Sequence, residues 1–110
     1  MAQESALVLV SRLQRELQGK LAALDIDIIG KETAKSIAAI RRLSADARLD
    51  VRDYEMAENR AEMLENAATA RKRLDELRAQ ILKASEHGIF SAIDVAQLST
   101  ELDVIVADMG

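Results

Sequence analysis

Glu55, Glu58, Glu62 and Glu65 recur at the three-to-four spacing of one helix face. Carboxylates on such a face hold paired metal ions in bundles that also supply Glu-x-x-His pairs. No glutamate in this chain has a histidine three residues on, and His87 is the only histidine. The quartet therefore reads as a solvated acidic face. His87 stands beside Gly88, where its ring suits the open carbonyls of a helix end, so capping is the role expected of it. The chain has no cysteine, which removes disulfides, thiolate-bound metals and thiol catalysis. No glycine-rich phosphate loop and no G-x-S-x-G elbow occurs. Accordingly no catalytic residue, metal ligand or cofactor is assigned.

Basic residues cluster at Arg41-Arg42, Arg48, Arg52 and Arg71-Lys72-Arg73. Nucleic-acid binding needs a stripe of unopposed positive charge, preferably with aromatic platforms. Here Asp46, Asp50, Asp53, Asp75 and Glu76 lie within a turn of those groups, and Tyr54 and Phe90 are the only aromatics. The net charge is −4. A nucleic-acid-associated regulator is thus the less favoured class, because the field of the chain does not attract polyanions.

Leu17–Asp25 (LQGKLAALD) and Val51–Asp53 (VRD) resemble stretches of the all-helical chorismate mutase family. The resemblance covers a minority of the chain. It implies a helical enzyme that holds a dicarboxylate in a basic pocket. Gln18 stands where the family has its N-terminal arginine. Lys35 could replace the next arginine, Ser44 or Asp46 falls near the lysine position, and Met56 and Ala57 replace the arginine–glutamate pair. A pocket without those cations lacks the electrostatic stabilisation on which such catalysis rests. The chain is not assigned to that family, and a mutase-type enzyme stays as the enzymatic alternative.

The elements that carry these residues are helices. The chain has no proline, and its four glycines are Gly19, Gly30, Gly88 and Gly110. Such sparse punctuation in a sequence rich in Ala, Leu, Glu, Arg and Lys predicts long helices. The expected fold is all-α: an antiparallel bundle of three to four long helices in one domain, with a coiled-coil-like hairpin as a possible centrepiece. The first helix is expected from Glu4 to about Ile29, closed by Gly30 at C′. Its stripe is Ala6, Val10, Leu13, Leu17, Leu21, Leu24 and Ile28, and Gly19 suggests a close helix crossing or a mild bend. No Gly or Pro follows between Lys31 and His87. An unbroken helix there would be about 85 Å long at 1.5 Å per residue. A turn is expected near residues 66–70, with Asn66 or Thr69 as cap, and Ser44 or Asp50 offers another break. Ile37, Ile40, Ala47, Val51, Tyr54, Ala61, Leu64, Ala68, Leu74, Leu77 and Ile81 form the expected stripe.

The sharpest local signal is Gly88 through Val95. Gly88 suits C′ with Ile89 as the apolar C″ contact. Ser91 and Asp94 approximate a capping box, and Phe90 and Val95 a hydrophobic staple. The last helix is expected from about Ala92 to Asp108, with Val95, Leu98, Leu102, Ile105 and Met109 as its stripe.

Apolar residues are 49 % of the chain and charged residues 31 %. The longest apolar runs are about five residues, against the roughly 20 of a membrane-spanning helix. The start of the chain lacks a signal-peptide pattern, so a cytoplasmic protein is expected. The terminal helices are the greasy ones and need cover on several sides. A non-enzymatic bundle acting by protein–protein contact is therefore expected: an adaptor, chaperone or regulatory scaffold, self-associating as a dimer, with any other protein partner unidentified. The expected contact residues are Leu7, Val10, Leu13 and Leu17 with Leu98, Leu102, Ile105 and Val106. The competing expectation is that these residues form the chain's own core.

Overall fold

A computed structural model describes residues 5–24 and 30–110. These form four helices: α1 (Ala6–Ala22), α2 (Lys31–Glu55), α3 (Arg60–Glu86) and α4 (Ala92–Asp108). The described residues contain no strand, and the fold is an all-α bundle. Its extents are 48 × 28 × 18 Å.

The α2–α3 hairpin is the most extensive pairing, α1 packs on α2, and α4 closes the bundle against α1 and α3. Side-chain bridges fix the directions. Arg73 of α3 reaches Asp50 of α2 at 3.2 Å, and Asn66 donates to the carbonyl of Asp53 at 3.1 Å, so α2 and α3 are antiparallel. Lys20, late in α1, meets Asp94, early in α4, at 3.1 Å, so these two are antiparallel as well. The Tyr54 hydroxyl, late in α2, donates to the carbonyl of Met109 at 3.2 Å. It ties the diagonal pair together at one end of the bundle.

Each helix buries a stripe with spacings of three and four. In α1 it is Ala6, Val10, Leu13, Leu17 and Leu21; in α2, Ile37, Ile40, Ser44, Ala47 and Val51; in α3, Ala67, Ala70, Leu74, Leu77, Ile81 and Ala84; in α4, Leu98, Leu102 and Ile105, continued by Met109. This pattern turns one face of each helix inward. Phe90 joins the same core.

The turn between α2 and α3 lies at residues 56–59, not at the expected 66–70, and the chain is not one long helix. The reason is legible in the pairing of Asn59 and Glu62. The Asn59 side chain accepts from the Glu62 amide at 2.8 Å, and the Glu62 carboxylate accepts from the Glu58 amide at 3.3 Å. Together they satisfy one open amide of the first turn of α3 and one just before its N-cap. The four expected caps are instead internal. Ser44 is buried and donates to the carbonyl of Arg41. Asp50 receives Arg73, Asn66 bridges to α2, and Thr69 donates to the carbonyl of Glu65. The turn resets the phase of the stripe, so Ala61, Leu64 and Ala68, in register with α2, face outward.

Helix α1 ends at Ala22 rather than near Ile29. Gly30 is the N-cap of α2, with φ −68°, and not the C′ residue of α1. The expected helical extension over Asp25–Ile29, including Ile28, lies outside the described residues. Gly19 marks no close crossing: an added Cβ would meet nothing within 4 Å.

The α3–α4 corner forms as expected. Gly88 has φ +77°. The Ile89 amide bonds the carbonyl of Ala84 at 3.2 Å and the Gly88 amide that of Ser85 at 3.0 Å, the Schellman pair. His87 occupies the C-cap. Ser91 and Asp94 exchange side chain-to-amide bonds in both directions. Phe90 is buried, and Val95 packs on the core.

Two glycine substitutions should therefore act with opposite sign. Gly88→Ala forces a Cβ into the left-handed region and should lower unfolding free energy by roughly 1–2 kcal/mol. Gly19→Ala, in open space within a helix, should raise it by about 0.5–1 kcal/mol. Urea unfolding followed by circular dichroism measures both.

Candidate functional site

The seam between α1 and α4 is where apolar surface, a groove and a perturbed carboxyl coincide. Val10, Leu13, Leu17, Leu98, Leu102 and Ile105 are each at most 1 % exposed. Leu7 and Val106 are partly buried against the same cluster. Six of the eight expected contact residues thus sit in the core of the single chain and offer no free surface to a second molecule. Both terminal helices bury their strongest stripe at home.

What the seam leaves outside is a different set. Ile93 is 79 % exposed, Val104 48 % and Val8 44 %. Ile93, Gln97, Thr100 and Val104 are all exposed and follow one another at helical spacing, so they share an outer face of α4. Between the two helices runs a groove of about 210 Å³ lined by Leu9, Arg12, Leu13, Thr100, Glu101 and Val104. That is below the roughly 300 Å³ at which small-molecule sites begin. It suits inserted side chains better than a substrate.

Charge is divided across this seam. Helix α4 carries Asp94, Glu101, Asp103 and Asp108 and no basic residue, while Arg12 and Arg15 are exposed on α1. Lys20 holds the Asp94 carboxyl below the usual range, helped by the Ser91 amide. Glu101 behaves in the opposite way. Burial, and then a hydrogen bond with Glu16, push it up to about 7. Its Oε2 is buried and has no hydrogen-bond partner.

From the sequence Glu16 is expected only to pair weakly with Arg12 four residues before it, and Glu101 is not singled out, although a signal for Glu101 exists. Glu101 stands three residues after Leu98 and four before Ile105, inside the apolar spacing of its helix. A carboxyl at such a position is drawn toward low dielectric.

Several of the other charged groups pair with one another. Arg73 gathers Asp50 at 3.2 Å, Asp46 at 3.8 Å and Glu76 at 3.8 Å, and the Asp50 hydrogen bond raises its pKa further. Arg78 pairs with Asp103 between α3 and α4. The shallow surface around Arg71 and Lys72 also presents Asp75 and Glu76. Arg41, Arg42 and Arg48 are exposed on α2. Among the glutamates of the quartet, Glu55 accepts the Leu7 amide at 3.1 Å and Glu62 caps α3. Among the described residues no group of three or more His, Asp or Glu is placed to hold a metal ion. The positions weighed against the mutase family do not line an interior pocket: Gln18, Lys35 and Met56 are exposed, and Ser44 is buried in the α2 stripe. The buried polar side chains among the described residues are Ser36 and Ser44.

No helix of the described residues is long and apolar enough to cross a membrane. Compared with family models, curated proteins and solved structures, the chain matches none.

The division between core and outer face is measurable in dilute protein. Leu102→Ala should cost about 2–5 kcal/mol of unfolding free energy. Ile93→Ala, on the outer face, should change it by no more than about 0.5 kcal/mol. Denaturant midpoints of the two variants separate the roles.

Proposed function

We propose that this chain is a non-enzymatic interaction module that self-associates through the outer face of α1 and α4. The supporting observation is that exposed Val104, which shares an outer face of α4 with exposed Ile93, lines an apolar groove between α1 and α4. Burying an apolar side chain of that size contributes roughly 1.5–3 kcal/mol. A few such positions offset part of the cost of association.

A second copy of this chain is the occupant that charge favours. A two-fold dimer makes every contact twice. Laying α1 of one protomer on α4 of its partner sets Arg15 against a helix whose ionisable side chains are all acidic. Opposite fields steer such an encounter and fix its register. The apolar residues of the face then meet near the groove. The contact set differs from the one read from the sequence: outward Val8, Ile93 and Val104 take the place of the buried leucines. An adaptor or scaffold role follows from a surface of this kind, and a cytoplasmic setting is part of the same proposal.

Sedimentation equilibrium tests it. The wild-type chain should form dimers as concentration rises, and added salt should weaken them because the charge pairing is screened. Ile93→Asp or Val104→Asp should give a monomer with unchanged helical circular dichroism. A wild-type chain that stays monomeric at every concentration and salt level would overturn the reading.

A further inference from the structure

We propose that the outer face of α2 is a docking ridge for an acidic amphipathic helix of a partner protein, which lies along it as in a short coiled-coil seam. The ridge is on a different helix from the α1–α4 seam. The inference therefore goes beyond self-association and holds whether or not the chain dimerises.

The ridge follows from spacing. Ala38, Leu49 and Met56 are exposed and Ala45 is half-buried. They follow one another at seven, four and seven residues, so they lie along one line of the helix. That line runs about 27 Å at 1.5 Å per residue. Its larger members stand well out, Leu49 at 48 % and Met56 at 71 % exposure. Arg41, Arg48 and Arg52 come three residues after Ala38, Ala45 and Leu49. They make a parallel line on one flank. Arg42, four residues after Ala38, borders the other flank. All four arginines are exposed.

In the sequence Asp46, Asp50 and Asp53 crowd these arginines, but the fold draws the first two away. Asp46 and Asp50 turn to α3, where Arg73 takes both. Asp53 meets Arg52 at 3.9 Å between two side chains that are more than half exposed, a pairing of little worth in water. Among the described residues Arg41, Arg42 and Arg48 make no ion pair. The ridge is thus a positive strip on a chain of net charge −4.

Charge and spacing select the occupant. Apolar residues at sevens and fours keep the period of a helix seam. Alanine at 38 and 45 lets a second backbone come close, and Leu49 and Met56 supply volume. In such seams the flanking ionisable residues choose the partner. Arginine flanks call for carboxylates opposite, and the guanidinium fork holds a carboxylate with two hydrogen bonds. A nucleic acid fits less well: the ridge has no aromatic platform, and the net charge repels an extended polyanion. An anionic membrane also fits less well, because Leu49 and Met56 are the only large apolar groups on offer for insertion.

The probe is a synthetic peptide of about three heptads, with leucine at a and d and glutamate at e and g. Its own like charges oppose self-pairing. The control peptide carries lysine in place of glutamate. Titrated into the intact chain, the acidic peptide should bind, gain helical circular dichroism and lose affinity as salt rises. The lysine peptide should not bind. The double variant Arg41→Gln, Arg48→Gln should weaken binding at least about tenfold, and Leu49→Gln about tenfold. These side chains are exposed, so unfolding midpoints should stay near the wild-type value. Absence of induced helix, equal binding of the two peptides, or unchanged affinity in either variant would overturn the proposal. Phosphatidylserine vesicles or single-stranded RNA bound through the same arginines, with the peptide left unbound, would overturn it too. Ile93→Asp should bind the peptide as the wild type does, and the double arginine variant should sediment as the wild type does, so the two proposals fail separately. Dimers lost in the arginine variant would make the ridge an interface between copies and sink the inference.

Discussion

The bundle depends on one packing constraint: four thin stripes must meet with almost no aromatic volume to fill the space between them. The α2–α3 hairpin answers it with small residues. Ser44 and Ala47 on α2 and Ala67 and Ala70 on α3 are all buried. Without long side chains between them, such faces let backbones come close, and close-packed atoms recover the dispersion energy that large residues would otherwise supply. Leu74, Leu77 and Ile81 then extend the stripe toward Ile40 and Ile37. Helices α1 and α4 bring the larger leucines to the remaining sides. The charged rim follows from the same arrangement, because thin stripes leave most of each helix surface to water.

Much of this architecture is legible in the residues. Helix type follows from the missing proline and sparse glycine. The α3–α4 corner could be placed almost residue by residue because Gly88, Ser91 and Asp94 each meet a local backbone need. The α2–α3 turn was harder, since its residues, Met56 to Asn59, include neither Gly nor Pro. Its two signs were subtle. One was Asn59 followed three residues on by Glu62. The other was a slip of one residue in the apolar phase, since Ala67 and Ala70 carry the stripe where Ala68 would have continued the α2 register. Gly30 misled for a related reason: glycine serves at both ends of helices, and only its φ distinguishes C′ from N-cap.

The site was less legible than the fold. Periodicity marks which residues point inward, but it does not say which molecule provides the inside. Leu13, Leu17, Leu98 and Leu102 satisfy a partner's groove and a chain's own core equally well on paper. The bundle settles them inward and leaves Ile93, Val104 and Val8 on the surface. Glu101 escaped notice because its neighbours in sequence, Thr100 and Leu102, are unremarkable. Its environment comes from α1, more than eighty residues earlier in the chain. The apolar spacing of α4 around Glu101 is a local sign of burial, but the residues that complete that burial come from another helix.

The bond from Tyr54 to the Met109 carbonyl has a practical side. The chain has no tryptophan and one tyrosine. Its intrinsic ultraviolet emission therefore arises from a single phenol that is tethered to the last turn of α4. That ring is a built-in optical gauge of whether the final helix is seated, available without any label.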